Sequence, residues 1–288
     1  MELSVEQLAA LIGLGVFIGS LTGMFGIGGA FIATPVMITV IGIESTLAIG
    51  CSMGFTLING VLSGTHHFRA GNYSKWASPP VAIGAGAGIL VGFLLHLYFR
   101  SSLDGAGFER LINSLFLLIL IPAGVLVWIR NSAVKDSGTT KSRFVHRIRI
   151  PPMKEIGDGL SVSLTLMFLI GASIGLLKGL IGIGGGVILV PILVMFVGLS
   201  PHKAVGTSLS LVVTSSLFGL MLYAWKGAFD LRIVGAFLIG SLIGVQIGTR
   251  MSKAVDGQKL IKLFALLIFA FCGFLLFEIV TSWIAGSS

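Results

Sequence analysis

Charge is what this chain has least of. Only 10% of its 288 residues are Asp, Glu, Lys or Arg, where a soluble domain carries about 25%. A surface facing water on every side cannot be built from that supply, which excludes an ordinary soluble enzyme. Cysteine is scarce too. Cys51 and Cys272 both fall inside apolar segments, with no CxxC pair and no Cys/His metal spacing, so neither a disulfide framework nor a metal site is expected. No Asp or Glu stands in the middle of an apolar segment. That removes the usual buried-carboxylate relay for protons or sodium, while coupling through a histidine, backbone carbonyls or the substrate itself stays open. The amino-terminal "MELSVEQ" has no basic n-region, so the first apolar run is expected to be a retained span and not a cleaved signal.

What is present is apolar. Hydrophobic residues make up 55% of the chain and the mean hydropathy is +1.03. Apolar segments fall near 6–24, 29–43, 48–66, 79–99 and 108–129, then near 159–181, 185–199, 204–225, 231–250 and 258–283. About 20 apolar residues cross a bilayer as a helix, so the chain reads as an all-α, multi-pass integral membrane protein whose first partner is lipid. The net charge of +8 would suggest nucleic acid in a soluble protein. Here the basic residues gather in short loops, as the positive-inside rule requires, and nucleic acid is not expected as a partner.

The chain repeats itself. Gly28 and Gly184, Pro35 and Pro191, Ala48 and Ala204, Gly50 and Gly206, Ser52 and Ser208, and Gly71 and Gly227 all share one offset of 156, without a gap. This divides the chain into a first transmembrane repeat (1–130), a basic linker (131–158) and a second transmembrane repeat (159–288). If each half crosses five times, 14 of the 19 Lys and Arg lie on the linker side and five (Arg100, Arg110, Lys178, Lys226 and Arg232) on the other. If the short second segments are re-entrant instead, the count is 11 against 8. Five crossings are favoured, with the linker cytoplasmic and both termini outside. An odd number of crossings makes the two repeats inverted, a recurring architecture of secondary transporters.

Two glycine clusters open the short second segments: "GMFGIGGAFIATP" at 23–35 and "GLIGIGGGVILVP" at 179–191. Gly- and Pro-interrupted segments at matching places in two halves point to a transporter site. A helix that begins inside the membrane leaves unpaired N–H groups and a partial positive charge there, which suits an anion. Gly28, Gly29, Gly184, Gly185 and Gly186 are therefore candidate anion-binding residues. Close helix packing is the alternative use for these glycines. A phosphate-binding P-loop is excluded, because no Gly-Lys-Ser/Thr follows, and no nucleotide cofactor is expected.

The next helix of each half opens with Ala-x-Gly-(Cys/Thr)-Ser, at Ala48–Ser52 and Ala204–Ser208. Ser52 and Asn59 in the first, and Thr207 and Ser208 in the second, can donate to an oxyanion without burying a permanent charge. The same hydroxyls can instead bond their own helix or join neighbours. Lys178 is the clearest ionisable residue within a span and aligns with Thr22. It reads either as a cation facing the anion path or as a side chain snorkelling outward. His96, Gln246 and Glu278 carry no assigned role.

The paired Gly-x-Gly-Gly clusters with their prolines, the Ala-(Val/Ile)-Gly-(Thr/Cys)-Ser openings and the trailing "KGAFD" turn resemble the sulfite exporter TauE/SafE family. The likeness covers both halves and is closer in the second; Ala30 and Cys51 depart from the fuller pattern. It implies a permease of the bacterial inner membrane, exporting a small sulfur-containing anion such as sulfite or an organosulfonate such as sulfoacetate. Alternating access between the halves is the expected mechanism, and enzymatic activity is not expected. An anion channel, or a membrane sulfur relay using Cys51, is the alternative. A homo-oligomer is compatible with either.

Overall fold

The structure is a computed structural model that describes residues 5–25, 29–69, 71–133, 151–155, 161–197, 199–255 and 257–285. Among the described residues, ten α-helices follow in order. They are α1 (Val5–Phe25), α2 (Ala30–Thr39), α3 (Ser45–Arg69), α4 (Ser78–Ser102) and α5 (Gly105–Ala133), then α6 (Leu164–Ile181), α7 (Gly185–Ile192), α8 (Pro201–Trp225), α9 (Leu231–Ala254) and α10 (Gly257–Ala285). Eight of them are long and apolar enough to cross a membrane, and the chain is an all-α integral membrane protein. α2, with ten residues, is about 15 Å long, half the hydrocarbon thickness. α7 passes into a π-helical turn at Leu193–Val197, just after Pro191 removes a backbone donor.

The apolar segments read from sequence coincide with these helices to within a few residues, with one clear correction. Helix α6 starts at Leu164, not near 159, because a small antiparallel hairpin precedes it: β1 (Met153–Glu155) pairs with β2 (Ser161–Ser163). Ser163 ends the hairpin and caps the helix, its Oγ accepting from Leu166 N at 3.2 Å. The rest of the linker, 134–150 and 156–160, lies outside the described residues.

Packing crosses between the halves. Gly240, Gly244 and Gly248 of α9 lie on the backbone of Ile12, Val16, Ser20 and Met24 of α1, so closely that a methyl on any of these glycines would enter a carbonyl oxygen. Gly84, Gly88 and Gly92 of α4 lie in the same way on Phe168, Ala172, Leu176 and Leu180 of α6. The second set is the first with 156 added or subtracted, so the repeat extends from sequence to contacts. Between lipid-soluble surfaces there is little hydrophobic drive for association. Helices then hold by close van der Waals packing, which small residues at a spacing of four permit.

These contacts also fix the helix senses. Partner numbers rise together along α1 with α9 and along α4 with α6, so each pair is parallel. Phe55 meets Phe237 and Asn59 meets Ser241, so α3 is parallel to α9. Gly60 meets Val212 while Met53 meets Gly219, so α3 and α8 are antiparallel. Gly219 meets Ile89 and Tyr223 meets Phe93, making α4 and α8 parallel. Helices α1, α3 and α9 thus share one sense, and α4, α6 and α8 the other. Helices α1, α3 and α4 thus run opposite to α6, α8 and α9 respectively. Because α1 and α3 share a sense, the short α2 and its flanking loops carry the chain back between them.

Candidate functional site

The glycine turns meet. Helix α6 stops at Gly182, whose φ of 77° lies in the left-handed region that a side chain disfavours, and whose N–H closes on Lys178 O at 2.9 Å. Gly184 then caps α7. In the other half Gly29, with φ 70°, caps α2 and packs under Ile18 and Thr22 of α1. The two caps are neighbours: a methyl on Gly184 would stand 3.3 Å from Phe31 N and 3.4 Å from the Ala30 side chain. Thr34 of α2 donates across the junction to Gly182 O at 3.3 Å. Gly29 lies beside Phe55, about 15 Å along α3, so the junction sits near mid-depth. From it α2 and α7 run away from each other, with their positive N-terminal ends adjoining.

Of the predicted residues, Gly29, Gly184, Gly185 and Gly186 are buried at this junction or in the first turn of α7, while Gly28 lies outside the described residues. Gly185 packs against Leu211 and Ile174.

Lys178 does not snorkel. Its side chain is fully buried and its Nζ donates to Ser216 Oγ at 2.6 Å, Ser215 Oγ at 3.0 Å and Val212 O at 3.3 Å. No carboxylate pairs with it among the described residues. A lysine at the bilayer centre costs about 3 kcal/mol on insertion scales, and an interhelical hydrogen bond returns about 0.6 kcal/mol. Three bonds offset part of that cost, and the lysine is held deep in the bundle against α8 with no carboxylate partner among the described residues. The matching position of the first half is Thr22, and the match of Ser215 is Asn59. Asn59 is fully buried, accepts from Ser241 Oγ at 3.0 Å through Oδ1, and leaves its Nδ2 buried without a partner.

The Ala-x-Gly-(Cys/Thr)-Ser openings clasp the opposite half. Ala228 O presses on Gly50 and Asn72 O on Gly206, where any side chain would collide. Thr207 Oγ1 accepts from Ser74 N at 3.0 Å, and at the equivalent place Cys51 Sγ accepts from Asp230 N at 3.4 Å. Ser52 and Ser208 donate to their own helices, to Ile49 O at 2.7 Å and Val205 O at 2.8 Å. Thr207 and Cys51 thus join the halves at opposite ends of the α3–α8 pair, with Ser208 buried beside Thr207 and Ser52 buried beside Cys51.

Sequence reading missed two side chains at the junction. The last carbonyls of α6 have no helical acceptor role left, and Tyr223 OH donates to Gly179 O at 2.6 Å while His96 Nδ1 bonds Leu180 O at 2.9 Å. A lone histidine in the apolar "FLLHLY" was the available signal; which helix end it serves is set only by packing. A cavity of about 220 Å³ lies elsewhere, at the far end of α2, lined by Thr39, Glu109, Arg110, Asn113 and Glu278 among others.

The chain is 27% identical to a Probable membrane transporter protein of Xylella fastidiosa over 93% of this chain and 94% of that one. It is also 27% identical to the Probable membrane transporter protein YjnA of Bacillus subtilis, covering 87% and 92%. A third relative, the Probable membrane transporter protein MJ0441 of Methanocaldococcus jannaschii, is 28% identical over 75% and 72%. No solved structure matches. Residues 11–275, nearly the whole of both repeats, match the family described as Sulfite exporter TauE/SafE, and the chain belongs to that family.

Proposed function

We propose that the chain is a secondary transporter that exports a small anion, a sulfur oxyanion such as sulfite or an organosulfonate such as sulfoacetate. It works by alternating access between its two inverted halves, in a bacterial inner membrane with the linker cytoplasmic and both termini outside. The observation that carries this reading is the contact between the caps of α2 and α7, Gly184 against Ala30 and Phe31. Two helix N-termini that begin at one level of the membrane and diverge from it present N–H groups and partial positive charge from both sides. Gly28, Gly29, Gly184, Gly185 and Gly186 would bring backbone donors to the anion. Lys178, buried and unpaired with any described carboxylate, would add the full charge. Ser52, Asn59, Thr207 and Ser208 would line the approach from α3 and α8.

The family description supplies the sulfur, and the relatives' names supply transport. At an inside-negative potential, efflux of an anion is favoured by about 2.3 kcal/mol per charge per 100 mV, so export needs no nucleotide. A channel gains no support from a junction in van der Waals contact. A sulfur relay through Cys51 gains none either, since that sulfur is packed against the Asp230 backbone. The test is a thermal-shift screen of the purified protein with sulfite, sulfate, thiosulfate, sulfoacetate, taurine and simple carboxylates. Selective stabilisation by one sulfur anion is expected; preference for carboxylates, or no response to any anion, would overturn the reading.

A further inference from the structure

We infer that His96 is a proton-binding site that couples proton movement to the proposed anion transport, reached from the surface through Glu44 and Thr46. This rests on the transport reading above.

The geometry is a continuous hydrogen-bond chain. Glu44, in the loop before α3, is exposed and holds Arg100 Nε at 3.3 Å. Thr46 Oγ1 lies 2.8 Å from Glu44 Oε1 and 3.3 Å from His96 Nε2. His96 is fully buried, and its Nδ1 lies 2.9 Å from Leu180 O. A carbonyl only accepts, so Nδ1 carries a proton in every state. Thr46 has one hydroxyl proton and two acceptors to choose between. When Thr46 donates to His96 Nε2, the imidazole is neutral. When Nε2 itself carries a proton, it donates to Thr46, and Thr46 turns to Glu44. Both arrangements satisfy every atom at Thr46 and His96, and they differ by one proton: Thr46 passes its hydroxyl proton to Nε2 as it takes one from a protonated Glu44, and the reverse transfer returns it. No bond other than O–H and N–H is made or broken.

The groups facing His96 are accounted for from each packed element. The α2–α3 loop and α3 bring Glu44 and Thr46, and α4 itself brings Arg100 one turn on. Helix α5 brings the Phe108 ring at 5.0 Å, with Glu109 beside it, and α8 brings the Tyr223 ring at 5.3 Å, its hydroxyl committed to Gly179 O. Helix α6 brings its carbonyl-bearing end. That end leads within two residues to Gly182 and the junction, so a change of charge at His96 acts on the segment that must move if the halves rock. The proton site and the junction share one helix terminus.

Proteoliposomes carrying a pH-sensitive dye inside test this, with labelled sulfite as the probe anion and the full-length protein. Wild type is expected to move protons with the anion. His96→Gln is expected to lose at least ten-fold more of the proton flux than of the labelled-sulfite exchange measured at equal concentrations. Thr46→Val, which leaves the imidazole intact and breaks the link to Glu44, is expected to slow proton flux in the same direction. Sulfite flux with no proton movement in wild type, or proton flux unchanged in both variants, overturns the inference while leaving transport standing. Absence of any anion flux in wild type defeats the transport reading. In that case the site is judged by nitrogen NMR of histidine-labelled protein, the His96 signal assigned by its loss in His96→Gln. An imidazole that changes protonation between about pH 5 and 9 supports the proton site, and one fixed in a single form throughout overturns it.

Discussion

Gly184 and Phe31 meet across the centre of the molecule: the glycine Cα face is turned to the Phe31 backbone nitrogen, with room for nothing larger than a strained methyl. These residues come from different repeats and from helices that diverge from their meeting point. Their contact is where the two halves share a polar backbone surface inside the membrane. The account of function hangs on it.

The glycine ladders should govern stability more than activity. Gly88→Ala puts a methyl into Ala172 O, and Gly244→Ala puts one into Val16 O, so the helix pairs must separate. We expect each to lower stability by about 1–3 kcal/mol, the usual cost of overpacking. Gly13→Ala, with open space around it, should be neutral or gain up to about 1 kcal/mol from helix propensity. Thermal melting in detergent compares the three, and equal melting of Gly88→Ala and Gly13→Ala would contradict the packing.

Lys178→Met keeps most of the side-chain volume and removes the charge. Removing a buried, desolvated charge is often neutral for stability, so the protein should melt near the wild-type temperature. Sulfite affinity should fall at least ten-fold, or about 1.4 kcal/mol. Calorimetric titration of the folded variant reads this directly, and wild-type affinity would remove Lys178 from the site.

Ser208→Ala is the harder case for the site reading, because the Ser208 hydroxyl already donates to Val205 O. If it also accepts a role at the anion, affinity falls more than protein yield does. Unchanged binding in the purified variant assigns Ser208 to its own helix.

Cys51 and Thr207 do one job at equivalent places, each accepting an N–H from the turn of the opposite half. Cys51→Thr should therefore fold and transport normally. Cys51→Val leaves the Asp230 N–H without its partner and should cost about 1–3 kcal/mol of stability. Melting curves and flux on the same samples separate these outcomes; loss of flux in a well-folded Cys51→Thr would reinstate a role for the thiol.

Helix positions were legible in the sequence because apolar runs bounded by Gly, Pro and charge are local signals. The repeat was legible because its offset stays constant from Gly28 to Gly71. Which helices pair was not. Gly84, Gly88 and Gly92 announce close packing by their spacing, but their partners on α6 lie in the other half, and nothing local names them. The same holds at the junction. The glycine clusters and Lys178 stood out as oddities within apolar runs. Tyr223 did not, and His96 showed only as a lone histidine without a role, since their hydrogen-bonding to the end of α6 exists only once α4, α6 and α8 are assembled. The β1–β2 hairpin was hidden by the polar, linker-like composition around it.

The central claim is that a small sulfur anion is carried between the two halves. Counterflow tests it most directly: proteoliposomes loaded with unlabelled sulfite are diluted into a trace of labelled sulfite. The account predicts a transient, saturable accumulation of label, lost in Lys178→Met. Label that enters without overshoot and in proportion to concentration, or that does not enter at all, would contradict it.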